Sequence, residues 1–88
     1  MTPISLFYGI IIYMYTDKAR AVRVPHVHAV FKEEEAIISL DGDVLDGRLS
    51  PAKLRLVLAW LTIHYDDLQA NWRVMTSGDE VFRIEPLR

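Results

Sequence analysis

No cysteine occurs anywhere in the chain, which excludes a disulfide framework, a thiolate metal site and a cysteine nucleophile. That absence fits a cytoplasmic protein best. Charge of one sign is scarce as well: 10 Lys and Arg stand against 12 Asp and Glu, for a net charge of −2. The balance argues against a broad nucleic-acid-binding surface and leaves Lys18, Arg20 and Arg23 as the one basic cluster. Long apolar runs are also missing. The uncharged stretch 1–16 contains Ile10, Ile11 and Ile12, but Gly9 and polar or tyrosine positions interrupt it, and a membrane span needs about 20 apolar residues. A secretory signal carries basic residues before its apolar run, whereas Lys18 follows this one, so the amino terminus is expected to belong to the fold. Neither a Walker nor a dinucleotide-binding glycine motif occurs, and there is no Gly-x-Ser-x-Gly elbow. Asp41, Asp43 and Asp46 do not make an EF-hand, which needs glycine sixth and glutamate twelfth, where this chain has Asp46 and Ala52.

What remains is globular: 51% hydrophobic and 25% charged residues over 88 positions, enough for one core and therefore one domain, 1–88. Isoleucines and tyrosines enrich 9–15, which reads as a central strand. In 26–32, Val27, Ala29 and Phe31 point one way, while His26, His28, Val30 and Lys32 point the other. The histidines thus face away from the core. In 35–40, Ala36, Ile38 and Leu40 share a face. A two-residue turn at Glu33-Glu34 would set Phe31 opposite Ala36, His28 opposite Ser39 and His26 opposite Asp41. Asp41-Gly42 is a second turn, leading to a short strand over 43–48.

A helix start is marked at Leu49-Ser50-Pro51, with Ser50 as N-cap, Pro51 first in the helix, and Leu49 stapling onto Leu54. Leu54, Leu58, Leu61, Tyr65, Leu68, Trp72 and Met75 then recur at alternating spacings of four and three, predicting one amphipathic helix over 51–77 that ends at Gly78. Such a helix would be about 40 Å long, so it either overhangs the domain or breaks, with a kink placed near Tyr65. His64, at the edge of the stripe, reads as structural. A second row, Leu56, Trp60 and Ile63, lies either under the amino-terminal strand or against a second subunit or partner. A final short strand is expected over 81–85. The fold class is α+β: an antiparallel β-meander of about four strands on one long, kinked or continuous amphipathic helix, with a short C-terminal strand.

Three readings attach to the polar strand face. His26 and His28, two apart on one strand, project about 6.5–7 Å apart along the chain and could share one zinc or other divalent ion, with Glu35 the nearest third ligand. Alternatively, Asp41 orients an imidazole as a general base beside Ser39, and Lys18, Arg20 and Arg23 hold a phosphate. The plain reading is a solvated face of a half-covered sheet, with no cofactor.

Phe7-Tyr8-Gly9-Ile10-Ile11-Ile12 with Met14-Tyr15, then Pro25-His26-Val27-His28-Ala29, Asn71-Trp72 and Ile84-Glu85-Pro86-Leu87 appear in that order. Together they resemble the uncharacterised bacterial family catalogued as domain of unknown function 4160. Val24 stands where that family usually has a proline and Val27 where it has phenylalanine. The resemblance implies a bacterial protein encoded beside another short gene and suspected of toxin–antitoxin function. On that basis the chain is expected to be either a small ribonuclease-like toxin, with His26 or His28 as acid or base, or a non-enzymatic antitoxin or adaptor, or a metal-binding domain. The expected partners are a small cognate protein, a second copy of the chain, or RNA.

Overall fold

A computed structural model describes residues 1–16 and 22–88 of the chain. Among them, five strands follow one another as an antiparallel meander: β1 (Ser5–Phe7), β2 (Ile10–Tyr13), β3 (His26–Phe31), β4 (Glu34–Ser39) and β5 (Val44–Gly47). Two helices follow, α1 (Pro51–Ile63) and α2 (Tyr65–Thr76). The expected α+β class and meander are present, and the count of four strands is corrected to five. The added strand, β1, is only three residues long, too short to show a period. It turns into β2 through Tyr8 and Gly9, both at positive φ (50° and 79°), the twist that a two-residue hairpin favours. A tyrosine is an unusual occupant there, which hides the turn.

The register between β3 and β4 is shifted by one residue on each strand from the expected one. Lys32-Glu33 makes the turn, Lys32 takes the positive φ of 55°, and Phe31 pairs with Glu34, Ala29 with Ala36 and Val27 with Ile38. Glu33-Glu34 is therefore not the turn. Because the shift keeps parity, the faces stay as read. One face, with Ile10, Ile12, Val27, Ala29, Ala36 and Ile38, packs under Val57, Trp60 and Leu61 of α1 and Leu68 of α2. The other carries Tyr13, His26, His28, Glu35 and Ile37.

The single helix expected over 51–77 is two. At His64 the backbone leaves helical geometry (φ −106°, ψ 23°), although its N–H still donates to the Trp60 carbonyl and its carbonyl accepts from Leu68 N–H. The longest extent of the domain is 34 Å, less than the rod a continuous helix would make, and the break keeps α2 against the sheet end. The C-terminal strand expected over 81–85 is also corrected, since its hydrogen bonds go elsewhere. Asn71 holds both the N–H and the carbonyl of Phe82, and only Ile84 N–H reaches the main chain beside β1, at Ile4 O (2.8 Å). Among the described residues no helix is long and apolar enough to cross a membrane.

Trp60 settles the place of the second helical row. It is 0% exposed, with its ring 5.3 Å from Phe7 and its Nε1–H donating to Glu85 O at 2.8 Å. Leu56 is half-buried against the same core, and Ile63 alone points outward, 65% exposed. The row lies under β1 and the C-terminal segment of its own chain. As a partner-facing surface it is therefore corrected.

Candidate functional site

His26 and His28 do not sit on a solvated face: both are 0% exposed. Strand parity sends them to the side away from the main core, and long-range contacts then enclose them. Tyr15, two residues beyond β2, stacks on the His28 ring with centroids 3.8 Å apart. Trp72 of α2 lies 5.1 Å from the His26 ring, and the two imidazoles stand edge to face at 5.2 Å. Neither neighbour is predictable from the alternation of β3.

The hydrogen bonds define the tautomers. His26 Nδ1 lies 2.8 Å from the Val24 carbonyl; a carbonyl only accepts, so Nδ1 carries the proton. His28 Nδ1 makes a longer bond, 3.4 Å, to Glu35 Oε2, which as a carboxylate also only accepts. Nε2 of each ring is buried, and among the described residues neither has a hydrogen-bond partner. Leaving a buried polar atom unpaired costs about 1–3 kcal/mol, and here two such atoms stand two residues apart on one strand. Burial holds the His28 imidazole below its ordinary value of 6.5, and the neighbouring His26 pushes the same way, against the hydrogen bond and charge of Glu35 and a smaller contribution from the Tyr15 carbonyl. His28 is neutral near pH 7.

Other expected site residues are placed differently. Ser39, not Asp41, pairs with His26, and Ile37, not Ser39, pairs with His28, the consequence of the register shift. Ser39 Oγ accepts from Asp43 N–H (3.0 Å) and so braces the β4–β5 turn. Asp41 accepts from the Tyr65 hydroxyl at 3.0 Å, a bond that raises the Tyr65 phenol above its usual range. It orients no histidine. Glu35, not Asp41, is the carboxylate beside an imidazole, reaching His28 from a diagonal position on β4. Arg23 is exposed, next to Val24; Lys18 and Arg20 lie outside the described residues. Tyr15 and Trp72 received no part in the site from the sequence, where Trp72 counted only toward the helical stripe, although both stand in the quoted family motifs. Among the described residues no group of three or more histidine, cysteine or carboxylate side chains could hold a metal ion.

Together these features define a small α+β domain, a five-stranded meander that encloses a pair of imidazoles on the face away from its main core, between Tyr15 and Trp72. The chain belongs to the family described as Domain of unknown function (DUF4160), whose model matches residues 9–73. No curated protein and no solved structure matches it.

Proposed function

We propose that this chain is a component of a toxin–antitoxin-type pair whose activity runs through His26 and His28. The observation behind this reading is the pair of enclosed Nε2 atoms with no hydrogen-bond partner among the described residues, each on a ring bonded at Nδ1. If the chain is the toxin, His28 is the acid–base group, since the Glu35 carboxylate beside its Nδ1 is the partner that orients an imidazole and raises its basicity. Arg23 is the described cation nearest in sequence to the pair and the candidate to meet a phosphate of RNA. The reading places the protein in the bacterial cytoplasm beside a small cognate protein encoded nearby.

Expression in cells with and without the neighbouring gene tests it. Growth arrest that the neighbour relieves, and that His26→Gln and His28→Gln each abolish in a folded protein, is the expected result. Arrest that survives both substitutions, or no arrest and no complex with the neighbour's product, sinks the proposal.

A further inference from the structure

On the face of the sheet away from the main core, β2, β3 and β4 bring three polar or aromatic side chains round one hollow. Tyr13 of β2 pairs with His28, and Glu35 of β4 pairs with Val30. Tyr13 and Glu35 therefore stand on either side of β3, two strand spacings or about 10 Å apart. Tyr15, two residues beyond Tyr13, lies across the His28 ring. Between them is a hollow of about 330 Å³ lined by Met1, Tyr13, Tyr15, Val30 and Glu35. We propose that this hollow binds an organic cation of the alkylammonium class, with its charge on the Glu35 carboxylate and its carbon stem against Tyr13 and Val30. The proposal rests on the reading of His28 as the working group and names the chemistry of what that group meets.

Three observations carry it. The first is charge. The Glu35 side chain is only 39% exposed, and its one ion-pair partner among the described residues is His28. Burial keeps that imidazole neutral near pH 7, so a partly desolvated carboxylate stands without a counter-charge, which favours a cation from outside. The second is the lining. Two tyrosine rings offer the negative faces of their π-systems to a cation, while Met1 and Val30 are apolar and suit a carbon stem. A metal ion finds one carboxylate here and no group of three ligands among the described residues.

The third observation selects ammonium over guanidinium. Glu35 Oε2 already faces His28 Nδ1 at 3.4 Å, which leaves Oε1 as the oxygen with no partner. A guanidinium is matched best by both oxygens of a carboxylate at once, whereas an ammonium is a compact point charge that one oxygen satisfies. The same geometry couples the hollow to the histidine. An ammonium on Oε1 draws charge away from the Oε2 bond, so His28 registers whether the hollow is filled.

The test uses the full chain, with proton–nitrogen spectra of the imidazoles and carbon spectra of the Glu35 carboxyl during titration with butylammonium chloride. Saturable shifts at Glu35 and at His28 Nδ1 together are expected, and neither sodium chloride nor butanol should reproduce them. Glu35→Gln should weaken binding about five-fold, and Tyr13→Leu about two- to five-fold, with circular dichroism unchanged. Shifts that butanol or sodium chloride reproduces, or that survive undiminished in Tyr13→Leu or in a folded Glu35→Gln, overturn the proposal. Equal binding of Nα-acetyl-lysine methylamide would assign the hollow to a lysine of a partner protein, and binding of butylammonium alone would assign it to a free amine. Histidine-dependent growth arrest in a protein that ignores butylammonium would remove the cation site and leave the functional reading standing. Cation binding without histidine-dependent arrest would do the reverse.

Discussion

Glu34 Oε1 accepts two hydrogen bonds from Ser50, one from the backbone N–H at 2.9 Å and one from the hydroxyl at 2.7 Å. Ser50 is the N-cap that its position before Pro51 predicts, yet its hydroxyl makes no cap bond to the helix. It donates instead to the first residue of β4, so the clasp ties the β3–β4 hairpin to the start of α1. Those bonds, the hydroxyl's first, hold the Glu34 carboxyl below its ordinary 4.5, with Arg48 helping and slight desolvation opposing. A carboxyl depressed in the folded state adds stability that is present above its unfolded value and lost as pH falls through its folded one. Thermal melts should therefore show Glu34→Ala less stable than the parent at pH 7, with the gap closing below about pH 4.5. An unchanged gap at pH 3 would contradict the clasp.

Trp60 joins α1 to β1 and to the C-terminal segment. Removing the ring in Trp60→Ala should cost about 3–5 kcal/mol in urea unfolding. Trp60→Phe should fill most of the space but leave the Glu85 carbonyl without its donor, at a cost of about 1–3 kcal/mol. A Trp60→Phe variant as stable as the parent would mean that packing, and not the hydrogen bond, sets the position of the segment.

Asn71 is fully buried and meets Phe82 twice, donating from Nδ2 to its carbonyl (3.0 Å) and accepting from its N–H at Oδ1 (2.8 Å). Asn71→Asp keeps the acceptor, loses the donor and adds a charge with no room to hydrate, so it should destabilise more than Asn71→Ala. The alanine variant should lose about 1–3 kcal/mol, and amide exchange at Phe82 and Ile84 should rise in both. Protection of those amides in the variants would show that another contact holds the segment.

Gly47 pairs with Ala36 at φ 73°, and a Cβ there would collide with the backbone carbonyl of Glu35. Positive φ alone costs a side chain roughly 1–2 kcal/mol, and the collision must also move the residue that holds His28. Gly47→Ala should therefore lose stability by more than that amount and also disturb the His28 imidazole signals. A shift at Ala36 and Arg48 with none at His28 would uncouple the two.

Much of this fold was legible from local patterns, because alternation in β3 and β4 and the Leu49-Ser50-Pro51 boundary are short-range signals with one physical reading each. The Asp41-Gly42 turn is of the same kind. The misplaced partner of the histidines traces to a single turn: with Lys32 rather than Glu34 in the hairpin loop, every cross-strand neighbour moves by a step, and Glu35 rather than Asp41 comes to the imidazole. Burial of the histidines lay outside any periodicity, since Tyr15 and Trp72 come from opposite ends of the chain. The apolar stripe of 51–77 runs through without interruption, but its length against the size of the domain called for either an overhang or a break near Tyr65, and the helix leaves regular geometry one residue away, at His64.

The bond from Ile84 N–H to Ile4 O bears on the order in which the chain assembles. The β1–β2, β3–β4 and β4–β5 hairpins each close over a short loop, so those pairings meet early at small entropic cost. The tie between residues 4 and 84 closes a ring of nearly the whole chain and gains nothing until Trp60 and Asn71 are in place to receive the returning segment. It is the last seam to form and the first to open, a latch that native-state exchange should find loosening while the strands around His26 and His28 stay shut.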